Sequence, residues 1–166
     1  MDRSARIALV LSGLALGTSS LAAAQSATST LSASTTVTKN CSITTTPVAF
    51  GAYNPITTNL TAPLDGTGTV VVTCTKGAGT RIDLGLGTNA SGTTRRMAGG
   101  SDFLTYGLYQ DSGRAIAWGA GTAAGQTITV SPSKAARTFT VFGRVPAGQD
   151  VAAGSYADTV VATINF

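Results

Sequence analysis

Apolar and polar residues alternate with a period of two along most of this chain, and no stretch sustains the 3.6-residue spacing of an amphipathic helix. TVVVTCT (69–75) alternates about Val70, Val72 and Cys74. RIDLGLG (81–87) sets Ile82, Leu84 and Leu86 on one face, with Arg81 and Asp83 on the other. Both read as strands with one core face and one wet face. DFLTYGLYQDSGRAIAWG (102–119) reads as a hairpin turning at Asp111-Ser112-Gly113, with Tyr106, Leu108, Ile116 and Trp118 available to the core. RTFTVFGRV alternates Phe139, Val141 and Val145, and the closing SYADTVVATINF puts Val160, Ala162, Ile164 and Phe166 on one face of a final strand. Asn54-Pro55, Asp65-Gly66, Gly99-Gly100 and Pro146-Ala147-Gly148 are expected turns between elements. Six or seven short strands in one domain are the pattern of an antiparallel β-sandwich.

One alternating segment fits this plan less easily. SATSTLSASTTVTKNC, 26–41, has the Ser/Thr/Ala composition of a disordered leader, yet Leu31, Ala33, Thr35 and Val37 occupy every second position. Its small apolar surface argues against order by itself. As a strand, 27–37 would span about 36 Å at roughly 3.3 Å per residue, enough to zip along the edge of a sandwich.

Before it, MDRSARIALVLSGLALGTSSLAAAQ combines a basic start at Arg3 and Arg6, an apolar run of about ten residues, and an A-x-A pattern at Ala22 and Ala24. Residues 1–24 are therefore expected to be a secretory signal peptide. The run is about half the ~20 residues of a membrane span. The mature chain, 25–166, is expected to be an exported single domain.

Charge and residue usage then narrow the chemistry. Without Asp2, Arg3 and Arg6, nine Lys or Arg stand against six Asp, a net +3 with no cluster beyond Arg95-Arg96, which argues against a nucleic-acid partner. The chain has no His and no Glu, the side chains that most acid–base and many metal sites use. No enzyme, cofactor or metal site is expected. Asp150 and Asp158 flank a Gly-containing loop, but two carboxylates are few for calcium, so capping of turns is the favoured role. Tyr106, Tyr109 and Trp118 could stack on a sugar, with core packing favoured. Arg95 and Arg96 could meet an anion, with a solvated turn flank favoured.

Cys41 and Cys74 are the two cysteines, and an even count in an exported chain favours a disulfide. Closing this loop of about 34 residues would restrict the unfolded chain by roughly 3 to 4 kcal/mol. Everything before Cys41 lies outside the staple.

Taken in order, NCSI at Cys41, VAFGAYNP, VTCTKG at Cys74, TRRMAGG, LTYGLYQDSGRAIAWG and FTVFGRVPAGQDVAAGSYADTVVATINF resemble the spore coat protein U domain. That family includes subunits of archaic, Csu-type chaperone-usher pili. The resemblance implies an all-β, incomplete immunoglobulin-like antiparallel β-sandwich that lacks its last strand. The missing strand leaves a groove that is filled first by a periplasmic chaperone. At the outer-membrane usher a donor strand from a neighbouring subunit, identical or related, then replaces it.

Carried onto this chain, the resemblance implies that 25–40 is a donor extension with Ala27, Leu31, Ala33, Thr35 and Val37 as its inward face. Residues 41–166 would be the pilin domain, with Val160, Ala162, Ile164 and Phe166 lining the acceptor groove. The expected function is a structural subunit, exported through the periplasm and assembled head to tail into a surface fibre for adhesion and biofilm formation. A spore-coat or extracellular-matrix protein of the same fold is one alternative. A monomeric secreted binding module, completed by its own N-terminal strand, is another. Only Thr38, Lys39 and Asn40 separate Val37 from Cys41, a short path for folding back across a sandwich.

Overall fold

A computed structural model describes residues 24–120, 125–128 and 130–166. The expected signal peptide lies outside the described residues except for Ala24. The chain divides into two units, Met1–Thr35 and Thr36–Phe166. In the first, residues 24–35 have neither helix nor strand and are exposed throughout, with Leu31 97% accessible.

Eight strands and one helical turn make up the described part of the second unit. They are β1 Cys41–Ala49, α1 Thr58–Thr61, β2 Leu64–Cys74, β3 Thr80–Leu84, β4 Arg95–Gly99, β5 Asp102–Tyr109, β6 Gln126–Ile128, β7 Arg137–Val145 and β8 Ala162–Asn165. Five strands form one sheet in the order β1-β2-β7-β5-β4, and three form another in the order β6-β3-β8. Every pairing is antiparallel.

The alternation read from the sequence builds the core. Val70, Val72 and Cys74 of β2, Ile82 and Leu84 of β3, Leu104, Tyr106 and Leu108 of β5, and Val141 and Val145 of β7 are all buried in one cluster with Trp118. Removing this much apolar surface from water is the main stabilising term, at about 1.5 to 3 kcal/mol for each large side chain. Tyr106 and Trp118 are thus core residues, and the Trp118 indole N–H donates to the Ile82 carbonyl at 3.0 Å.

Several expectations are corrected. Leu86 is exposed, because β3 stops at Leu84 and the chain turns through Gly87, whose φ of +91° breaks the alternation. Asp83 is buried rather than wet: β3 is the central strand of its sheet, and the carboxylate accepts from Arg81 at 2.8 Å and from Asn165 at 2.9 Å. Ile116 is 58% exposed. Its hairpin returns as an isolated bridge, Tyr109 to Ala117, and the Asp111 carboxylate, by capping the N–H groups of Ala115 and Ile116, absorbs the residues that would have set the alternation.

Asp65-Gly66 is not a turn but part of β2, where Asp65 faces Arg144 and bonds it at 2.7 Å. Two strands went unforeseen, β4 and β6, since RRMAG and the three-residue QTI alternate too weakly to stand out.

Candidate functional site: a groove between two terminal strands

β1 ends the five-stranded sheet and β8 ends the three-stranded one, so each has one edge with no strand partner among the described residues. β1 is held in place by its ladder to β2 and by the disulfide between Cys41 and Cys74, which are directly paired. Past Thr46 the register shifts, at Pro47, which has no N–H to give to a ladder and so bends the strand.

Between these two edges runs a cleft of about 210 Å³. Its walls include Thr46, Val48 and Phe50 on the β1 side and Val160 and Ala162 on the C-terminal side, with Val70, Leu84, Leu108 and Val141 at its base. A wider recess of about 820 Å³ shares Val48, Phe50 and Met97 with the cleft and extends past Leu64 and Val145 to Val151 and Tyr156. The lining is largely apolar and lies wholly within the second unit. It resembles a sandwich interior left open along one side.

The C-terminal segment alternates along this cleft. Tyr156, Asp158, Val160, Ala162 and Ile164 are half-buried, and the residues between them are exposed. Phe166, expected on the same face, is 53% exposed at the end of the run. The segment is anchored by the Ala98–Ala157 bridge, by the Gly85 N–H donating to the Val161 carbonyl, and by the β3–β8 ladder.

One polar group breaks the apolar lining. Asp158 lines the cleft and accepts the Tyr106 hydroxyl at 2.7 Å, the Thr88 hydroxyl at 3.0 Å, and the backbone and side-chain N–H groups of Asn89, each at 3.1 Å. Burial pushes its carboxyl up, but these hydrogen bonds outweigh that and leave it below the usual carboxylate range. The Tyr106 phenol is raised, first by burial and then by this carboxylate. Asp158 is thus a half-buried hydrogen-bond acceptor, and Asp150 is exposed at the far end of the recess.

Sequence reasoning also missed Arg95. It is neither a solvated turn flank nor an anion contact: its guanidinium is buried and donates to the carbonyls of Leu84, Gly85 and Trp118, each at 2.8 Å. Burial lowers its pKa. Arg96 lies 4.1 Å from the centre of the Phe103 ring and donates to the Asn89 carbonyl. The basic pair reads in sequence like surface charge, and only the β4–β5 pairing turns Arg95 inward.

Of the expected donor residues, Ala27, Leu31, Ala33, Thr35 and Val37 are all exposed and outside any strand. A strand requires a ladder partner for its N–H and C=O groups.

The fold is an antiparallel β-sandwich open along one edge. Residues 27–163 match the model of the Spore Coat Protein U domain, and the chain belongs to that family. It is similar to Protein U of Myxococcus xanthus, 41% identical over 127 residues that make up 70% of each chain. Its fold is also that of a chain in a crystal structure of a chaperone–tip adhesion subunit pre-assembly complex from the archaic chaperone-usher Csu pili of Acinetobacter baumannii. That match has a TM-score of 0.56 and 24% identity, and it covers 79% of this chain and 40% of that one.

Proposed function

We propose that this protein is a structural subunit of a chaperone-usher surface fibre, polymerising when the N-terminal strand of one copy fills the groove of the next. The observation that carries this reading is the apolar cleft flanked by the edges of β1 and β8 that have no strand partner among the described residues. An open apolar edge of this kind invites pairing with another chain, and a head-to-tail contact that does not close on itself extends into a filament. The alternating, exposed segment 27–37 supplies a strand long enough to fill it. The likeness in fold to a chain of a chaperone–pilus subunit complex supports a periplasmic chaperone as first occupant of the groove. An outer-membrane usher would then be the site of exchange.

The fibre reading requires export of the chain after removal of 1–24, and it requires no catalysis or cofactor. Its cellular role would be adhesion and biofilm formation. The family's own description supports a second reading, in which the same subunit is laid down in a spore coat or matrix.

The experiment is deletion of residues 25–39 from the chain in its native host. We expect loss of SDS-resistant multimers with chaperone binding retained. Multimers that survive the deletion would overturn the proposal. Shedding of fibres by cells, rather than incorporation into a coat, decides between the two readings.

A further inference from the structure

The two ends of the sandwich differ in charge. At one end β1 begins, β2 ends and β7 begins, and there the exposed Lys39, Lys76 and Lys134 gather beside Arg137. At the other end β2 and β5 begin and β7 ends, and there Asp102 and Asp150 lie beyond the ion pair of Asp65 with Arg144. A donor strand is followed after three residues by its own Cys41, so its subunit body must abut the end of the groove from which Val37 emerges. Running antiparallel to the C-terminal segment, the strand brings the lysine end of one copy against the aspartate end of the next. The opposite direction would set lysine end against lysine end.

Register follows from parity, polarity and size. A slip of one residue would turn Thr28, Thr30, Ser32, Ser34 and Thr36 inward, an all-hydroxyl face against an apolar groove. Among the remaining alignments, one sets Thr35 opposite Asp158, Leu31 opposite the small Ala162, Ala33 opposite Val160 and Val37 opposite Tyr156 in the wide recess. Shifted by two residues one way, Val37 meets the carboxylate and Ala33 faces Ala162, leaving a gap. Shifted the other way, Ala33 meets the carboxylate. In both, Asp158 Oδ2, which accepts Tyr106, loses the hydroxyl that could serve its second lone pair.

We propose that the donor strand enters the next copy's groove in one register, antiparallel to β8, locked by the Thr35 hydroxyl donating to Asp158 and by Leu31 filling the space over Ala162. This rests on the strand-exchange reading above. Asp158 and Thr35 are then specificity-determining residues: they reject donor strands that place a methyl group at that point.

Fibres of the full chain carrying Ala33→Cys with Val160→Cys, separated without reductant, should give a heat-stable ladder. Ala33→Cys with Ala162→Cys should give at least tenfold less. Equal or reversed yields overturn the register. If the cysteine pairs fail to assemble, dissociation in SDS decides. Thr35→Val should fall apart about tenfold faster than the unaltered chain, as expected for a lost hydrogen bond to a charged group, and Thr35→Ser should not. No difference between Thr35→Val and the unaltered chain overturns the lock. Loss of multimers on deletion of 25–39, combined with the wrong cross-link, would sink the register and leave strand exchange standing. Multimers that persist after the deletion would sink both.

Discussion

Cys41 and Cys74 occupy directly opposed positions in the β1–β2 ladder, with their Cα atoms 4.1 Å apart, so the disulfide fixes one wall of the groove. Beyond this pair β1 has only β2 to hold it in its sheet. Replacing both cysteines with serine should cost about 3 kcal/mol, from the released loop. It should also loosen β1 first. Hydrogen exchange at Ser42 and Thr44, whose N–H groups face β2 in this register, should rise more than at Val141, in the interior of the same sheet; uniform acceleration would mean that the staple acts on the whole domain.

Arg95 ties the two sheets together through the backbone rather than through a counter-ion, since its guanidinium donates to the carbonyls of Leu84, Gly85 and Trp118. Arg95→Ala strands these buried acceptors and should destabilise the domain by about 3 kcal/mol, read as a lower urea midpoint. Arg95→Lys keeps the charge but cannot reach all three carbonyls, and should fall between the two. Arg96→Ala, which loses a half-exposed contact with Phe103, should cost about 1 kcal/mol or less.

Much of the core was legible in sequence, because period-two alternation names buried residues wherever a strand has one covered face. Val70, Val72, Ile82, Leu84, Tyr106 and Leu108 all follow it. Alternation failed where turns reset its phase. Gly87 exposed Leu86, and the Asp111 cap exposed Ile116. Residue type misled for Arg95 and Asp83, whose charges suggest solvent but which find backbone carbonyls, Arg81 and Asn165 inside. The C-terminal wall of the groove, Val160 to Ile164, was visible as a strand. The notch at Asp158 was not, because no local pattern links it to Tyr106, 52 residues earlier.

Gly87 tests that notch from its other side. Its φ is +91°, and a β-carbon there would collide with the Asp158 carboxylate. Gly87→Ala should cost about 2 to 3 kcal/mol, combining backbone strain with displacement of the carboxylate. Gly92→Ala is the control, since Gly92 also has a positive φ but open space around it. It should cost about 1 kcal/mol. Equal effects on the thermal midpoint would mean that strain alone matters and that the Asp158 contact is incidental.

Acid should act on the same carboxylate. Asp158 sits below its ordinary 3.8, since the hydrogen bonds from Tyr106, Thr88 and Asn89 outweigh its burial. A depressed carboxyl contributes stability that is complete above the unfolded pKa and is lost as pH falls through the folded one. Urea midpoints should therefore hold steady from neutrality to about pH 5 and then decline as pH falls below the ordinary carboxylate value. Asp65, lowered chiefly by its bond to Arg144, and Asp111, lowered by the N–H groups of Ile116 and Ala115, lose stability in the same direction. Asp65 is exposed and held by an ion pair, so its share should shrink in high salt or on substitution at Arg144, whereas the shares of Asp111 and Asp158, held by hydrogen bonds from uncharged groups, should persist. Asp158→Asn removes the ionisation while leaving a side-chain carbonyl to accept from Tyr106. It should lower stability at neutral pH and flatten the acid slope, so the two curves converge as the pH falls through the folded-state range of Asp158. Parallel curves at all pH values would show that Asp158 is as easily protonated in the folded chain as in the unfolded one.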